Sequence, residues 1–287
     1  MSPAPDELAA LRREIDSIDE QLHDLLMRRG EVVSEIGRRK AVDGQVTFRP
    51  AREAQLLHRI LGRHRGDLTH ASIVRLWREI IAASIRIQGQ LTVGYCPIEG
   101  HGSALRLANG HFGFDTPTLR FGSASQVASA VHRGEVSVGL VPLPEAVDAP
   151  GWWGDVRDAA DVYVVARLPW YDATTAGAAV GALVLARGMP EESGDDRSLL
   201  MFTCSKPVSR VRIGEVCTDQ GLEVAAQAVT DDSHEPDARI HIVELDGFID
   251  ADDDRVQAVA MTLEASNVRL LGAFARAYVR SGTTGDK

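Results

Sequence analysis

Leu8-Ala9-Ala10-Leu11-Arg12-Arg13-Glu14-Ile15, continued by Ile18, Leu22, Leu25, Val32 and Ile36, is the stretch that decides how the first part of the chain folds. Its apolar residues recur every three or four positions, the period of one face of an α-helix. With no Pro, and no Gly before Gly30 and Gly37, residues 6–41 read as one helix that ends at Val42-Asp43-Gly44. A helix of roughly 36 residues is about 54 Å long, too long to pack against short helices inside one compact monomer. A dimer that shares its long helices between subunits would bury the stripe. A paired coiled coil with no site in it is the plainer alternative.

A second helix is predicted from Pro50, which suits a first-turn position, through Leu56, Leu57, Ile60 and Leu61 to Gly62 and Gly66. A third runs from about Thr69 to Gln90, with an apolar line at Ile73, Trp77, Ile80, Ile81, Ile87 and Leu91.

Eight polar residues punctuate these helices: Arg12, Arg29, Lys40, Arg52, Glu53, Arg78, Ser84 and Gln88. Arg29 falls on the face that ought to be apolar. Arg29 and Lys40 are within about 20° of each other around the helix and roughly 16 Å apart along it, so they could clamp a small polyanion. Arg12 lies about 100° around and roughly 25 Å away, out of reach of that pocket in its own chain but able to enter a partner's. Ser84 and Gln88 are one turn apart beside the third helix's apolar line. Taken singly each has a bland reading: Arg52 and Arg78 solvated, Ser84 bonded to its own backbone, Lys40 capping a helix end. Three helices that all place such groups inward weaken that reading.

The chain has 287 residues, 44% hydrophobic and 25% charged, the composition of a soluble multidomain protein. No membrane span is expected, and the first twenty residues have neither the basic start nor the apolar core of a secretory signal, so the protein is expected in the cytoplasm. Cys96, Cys204 and Cys217, odd in number and without a CxxC spacing, read as reduced and structural, with no metal site. Residues 1–90 carry 15 Lys+Arg against 13 Asp+Glu and the remainder 16 against 28. Only the first part looks built to meet an anion, and nothing points to nucleic acid.

After Gln90 the period changes. Leu91–Tyr95, Val136–Pro142, 161–168 and 180–187 read as strands, Gln126–Val131 as a helix and Gly188–Asp196 as a polar linker. From Ser198 the order is strand, helix, strand, strand, helix, strand (Leu199–Phe202, Val211–Gln220, Leu222–Val229, Arg239–Leu245, Asp254–Glu264, Val268–Tyr278), which suits an antiparallel sheet with helices on one face. His234 and His241 near the acidic run 250–254 could suggest a metal, but such a run reads better as a helix N-terminus.

Leu11–Asp16, Ile18–Leu22, Leu25–Arg29, Gly37–Lys40, Arg49-Pro50-Ala51-Arg52-Glu53 and Ile80–Ser84 with Gln88 closely resemble the all-helical (AroQ-type) chorismate mutases over about residues 7–91. The resemblance implies an intertwined dimer of three-helix protomers and a cofactor-free rearrangement of chorismate to prephenate. Arg29, and Arg12 donated by the neighbouring subunit, would hold the two carboxylates. Lys40 and Gln88 would donate to the ether oxygen, and Glu53 would accept the ring hydroxyl's hydrogen bond. Arg52 and Ser84 would support the pocket; Arg78 receives no role and is read as a surface residue.

The rest resembles the continuation of the bifunctional chorismate mutase/prephenate dehydratases. The implied architecture is a mutase domain over 1–90, a truncated α/β dehydratase-like region over 91–190 and an α+β ACT-like (βαββαβ) domain over 197–280. The dehydratase motifs are degraded. Val136–Pro142 with Leu143-Pro144-Glu145 lacks the Asn and Ser of Pro-Ile-Glu-Asn-Ser, Tyr95–Gly100 replaces Gly-Pro-x-Gly-Thr, and Val180-Gly181-Ala182 stands where Thr-Arg-Phe belongs. In the ACT-like part Pro207-Val208-Ser209-Arg210 replaces Pro-Gly-Ala-Leu, and 232–236 replaces Glu-Ser-Arg-Pro. The implied partner there is an amino acid effector or another enzyme, and the lost Gly argues against phenylalanine. A mutase without dehydratase activity is the expectation. The rivals are a bifunctional enzyme with altered motifs and a non-catalytic scaffold.

Overall fold

The computed structural model describes residues 5–43, 48–98, 104–144, 152–156, 159, 161–172, 181–232, 235 and 237–279. The chain divides into two compact units, Met1–Phe48 with Ala83–Gln90, and Arg49–Ala82 with Leu91–Lys287.

In the first unit α1 (Pro5–Asp43) is one helix of 39 residues, about 58 Å long. Asp6 and Glu7 in its first turn suit the positive end of the helix dipole. Its apolar stripe is uncovered: Ile15 is 57% exposed and Leu25 64%, with Leu8, Leu11, Ile18, Leu22, Val32 and Ile36 likewise exposed. Toward its C-terminal end Val33 is buried, and Gly37 meets the last turn of a later helix, where a Cβ would stand 3.0 Å from Gln88 Cα.

The second unit begins with α2 (Pro50–Arg63), whose Ala51, Ala54, Leu57 and Leu61 are buried at helical spacing. The following helix, α3 (His70–Gln88), contributes residues to both units. Its buried line runs through Val74, Arg78, Ile81, Ala82 and Ile85 rather than through Ile73 and Trp77.

Beyond it come β1 (Val93–Tyr95), α4 (Ala104–Phe112), β2 (Thr118–Arg120), α5 (Ala124–His132), β3 (Val138–Pro142), α6 (Trp153–Val156), β4 (Val162–Leu168), β5 (Tyr171–Asp172) and β6 (Ala182–Arg187). The predicted strands and helix of this region are present; α4, β2, α6 and β5 were not anticipated, and Val180 lies outside the described residues. Then follow β7 (Asp196–Cys204), α7 (Arg210–Asp219), β8 (Val224–Asp231), β9 (Arg239–Asp246), α8 (Asp254–Thr262) and β10 (Ser266–Ala275), in the expected βαββαβ order. The last strand stops short of the predicted Tyr278, which instead opens β11 (Tyr278–Val279), paired with β5. Tyr278 stacks on Trp170 at 5.9 Å and on Tyr171 at 6.0 Å, and these ring contacts hold it away from the main sheet's ladder.

Among the described residues the main sheet has nine strands in the order β2-β1-β3-β6-β4-β10-β7-β9-β8. The strands of 91–190 and of the βαββαβ segment therefore share one sheet, joined where β10 runs parallel to β4 at Gly272 and Val164. Gly272 has φ +150°, and a Cβ there would fall 2.0 Å from the Val164 carbonyl oxygen, so only glycine permits this junction. Strand β7 is buried on both faces. Leu199 and Met201 join a core with Val127 and Val131 of α5, whereas Leu200 and Phe202 pack with Ile213 of α7 and Val259 of α8.

The acidic run 250–254 is a helix start: Asp253 caps α8, its side chain accepting from Arg255 N. Ser209, in the altered Pro207–Arg210 turn, caps α7 in the same way. His241 is buried and stacked on Phe202, His234 lies outside the described residues, and Cys96, Cys204 and Cys217 are buried. Among the described residues no helix is long and apolar enough to cross a membrane.

Candidate active site

In the first unit, Arg29 of α1 donates from Nη1 to Ser84 Oγ of α3. Arg29 is half-buried, and that burial lowers its pKa, while Ser84 is buried. A guanidinium keeps its charge in such a place, so the cost of partial desolvation is offset in part by the bond to Ser84. Among the described residues Arg29 makes no ion pair, its recorded partner being a neutral hydroxyl. One turn on, Gln88 Nε2 donates to the Ser84 backbone carbonyl at 3.1 Å, and its Oε1 is buried with no hydrogen-bond partner. Gly37 is what allows α1 to approach this turn, because any side chain there would press on Gln88.

Lys40 lies on α1, eleven residues after Arg29; its side chain lies outside the described residues. Arg12 is exposed on the N-terminal part of α1, and Arg52 is exposed on α2.

In the second unit, Glu53 of α2 is 8% exposed and Arg78 of α3 is 5% exposed, and Arg78 Nη1 meets Glu53 Oε2 at 2.7 Å. This corrects the reading of Arg78 as a surface residue: it stands on the buried line Val74-Arg78-Ile81-Ile85 and is stabilised there by the carboxylate. The i, i+4, i+7, i+11 spacing of that line was the signal available in the sequence. The guanidinium also lies over the Trp170 ring, 5.7 Å from its centre. His111 of α4 puts Nε2 3.8 Å from the same Glu53 oxygen. His111 escaped the sequence analysis because α4 did, although Ala104, Ala108, His111 and Phe112 mark out one buried helical face.

Burial pushes the Glu53 carboxyl above the usual carboxylate range, against the pull of Arg78. Burial, reinforced by the charge of Arg78, holds His111 well below the ordinary imidazole range, so it is neutral at neutral pH.

Residues 11–89 match the family model for Chorismate mutase type II. The chain is 32% identical over 148 residues to a bifunctional chorismate mutase/prephenate dehydratase of Stutzerimonas stutzeri, covering 50% of this chain and 40% of the relative. It is 31% identical over 151 residues to the Pseudomonas aeruginosa protein of the same description, with the same shares covered. The chain thus spans about two fifths of the length of these relatives. A solved prephenate dehydratase from Streptococcus mutans superposes with TM-score 0.48 at 14% identity, covering 66% of this chain and 100% of that one. The similarity to the chorismate mutases of type II is thus carried by residues 11–89.

Proposed function

We propose that this chain rearranges chorismate to prephenate, within the biosynthesis of phenylalanine and tyrosine, as a cytoplasmic homodimer. The observation that carries the reading is the half-buried Arg29, bonded to Ser84 and without a carboxylate of its own, inside the segment that matches the mutase family. A dicarboxylate substrate supplies the missing anion, and a guanidinium's planar fork suits bidentate pairing.

The rearrangement is pericyclic. No proton moves and no covalent intermediate forms, so the residues act by holding the reactive conformer and by presenting fixed donors where charge grows. Arg29 and the partner-donated Arg12 hold the carboxylates. Lys40 and Gln88 donate to the ether oxygen as its bond to carbon breaks. Glu53 accepts the ring hydroxyl's hydrogen bond, and Arg52 and Ser84 support the pocket. The chemistry asks for no cofactor.

The exposed stripe of α1 supports the dimer, because a row of uncovered Leu and Ile along a long helix is stabilised by burial against a second copy. Leu22→Glu is expected to give monomers by light scattering and to abolish turnover, since Arg12 then reaches no neighbouring site.

Dehydratase activity is absent in this reading. Gly181 stands where the Arg of Thr-Arg-Phe belongs, and a Cβ there would lie 2.7 Å from Leu143 Cδ1 and 3.1 Å from the Leu168 carbonyl oxygen, which leaves no room for a cationic side chain. The βαββαβ segment is read as ACT-like, with an amino acid or an enzyme as its partner.

Incubation of the purified protein with chorismate, followed by quantification of prephenate and phenylpyruvate, tests the proposal. Prephenate alone is expected. Phenylpyruvate formed without added acid would restore the bifunctional reading, and unconsumed chorismate with the fold intact would replace catalysis by a scaffolding role.

A further inference from the structure

Two buried charges, Glu53 and Arg78, lie where helices α2 and α3 meet residues of the α/β sheet region within the second unit. Arg78 Nη1 contacts Glu53 Oε2 at 2.7 Å, the Trp170 ring lies under the guanidinium at 5.7 Å, and His111 Nε2 stands 3.8 Å from the same carboxylate oxygen. His58 of α2 packs edge-on against Trp170 at 5.0 Å, closing the cluster from the helical side. Both recorded contacts to the Glu53 carboxylate, from Arg78 and from His111, are made to Oε2.

We infer that Arg78 is a positioning residue for the rearrangement, which holds Glu53 ionised and oriented to accept the ring hydroxyl, and that Trp170 and His111 pack around the pair and hold it in place. The inference rests on the mutase reading. A buried carboxylate is stable only with its cation: without Arg78 it takes up a proton or turns toward water, and in either case the charge-assisted bond to the substrate hydroxyl is lost. Trp170 fixes the guanidinium from below, so the carboxylate is held by a group that is itself held.

Among the described residues the titratable and charged groups recorded against Glu53 are Arg78 from α3 and His111 from α4. Burial raises the Glu53 pKa and Arg78 opposes the rise, so removing Arg78 carries it higher still. His111, neutral at neutral pH, supplies no substitute charge.

The test is made on the full chain, with kcat and KM for chorismate measured across pH for the wild type, Arg78→Met, Arg78→Lys and the double variant Glu53→Gln with Arg78→Met, alongside thermal melts. Arg78→Met is expected to lose on the order of 10²-fold in kcat at neutral pH with a smaller change in KM, and to move the acid limb of kcat/KM to higher pH. Arg78→Lys restores the charge without the fork, so the limb returns most of the way while kcat recovers only in part. The double variant, with both charges gone, melts closer to the wild type than Arg78→Met does but stays slow. A wild-type kcat and an unmoved pH limb in Arg78→Met or, where that variant does not fold, in Arg78→Lys overturn the inference, as does a double variant as fast as the wild type. A wild type that leaves chorismate untouched refutes the mutase reading itself, a different result from a wild type that turns over while its variants match it.

Discussion

Arg29 and Arg78 are both arginines on helix faces patterned for burial, one in each unit of the chain, and they are satisfied in opposite ways. Arg78 is sunk in the interior against a carboxylate and an indole ring, whereas Arg29 is half-buried against a neutral hydroxyl. A cation that already has its anion has little attraction left for a ligand. One that has been partly desolvated without an anion keeps that capacity, so in the proposed function Arg78 builds the site and Arg29 binds substrate. His241 completes the series: buried with Nε2 lacking a hydrogen-bond partner, it gives up its charge instead, burial and then the charges of Arg210 and Arg239 holding its pKa down at about 4.

The sharpest way to break the comparison is to remove each cation and read stability apart from rate. Arg78→Ala deprives the buried Glu53 of its cation, so that the carboxylate must take up a proton or turn toward water, and is expected to cost about 3–5 kcal/mol in denaturant unfolding. Arg29→Ala is expected to lose about 10²–10³ in kcat/KM while its unfolding midpoint barely moves, and Lys40→Ala to behave alike. If Arg29→Ala instead unfolds the protein and Arg78→Ala does not, the two roles are reversed.

Smaller in effect is the response of His241 to acid. Its folded pKa of about 4 lies below the ordinary value near 6.5, so the unfolded chain binds the extra proton first. Stability tied to this ring is therefore whole above about pH 6.5 and lost progressively as pH falls toward about 4. Melting curves across that window should flatten in His241→Leu. An unchanged slope in the variant means that some other group carries the acid sensitivity.

The three helices of the mutase segment were legible from periodicity and turn residues: Pro50 opens α2, and the long stripe from Leu8 to Ile36 predicts α1. The βαββαβ order was legible for the same reason, since alternation and helical spacing are written within a few residues. Arg29 stood out because its neighbours on the helix face are apolar. Arg78 did not, because the third helix was read along Ile73 and Trp77, a line rotated from the one that is buried.

Local pattern thus sufficed for most of the elements and for the burial of Glu53 and Ser84, whereas Arg12 and Arg52 are exposed. It could not pair Glu53 with Arg78, bring Trp170 and His111 to them, or join β10 to β4 through Gly272. Those contacts link residues far apart in the chain, and hydrophobic periodicity says which face of an element is buried but not against what. Only the packed sheet decides that, because each such contact depends on desolvation and close approach that exist once the distant elements have met.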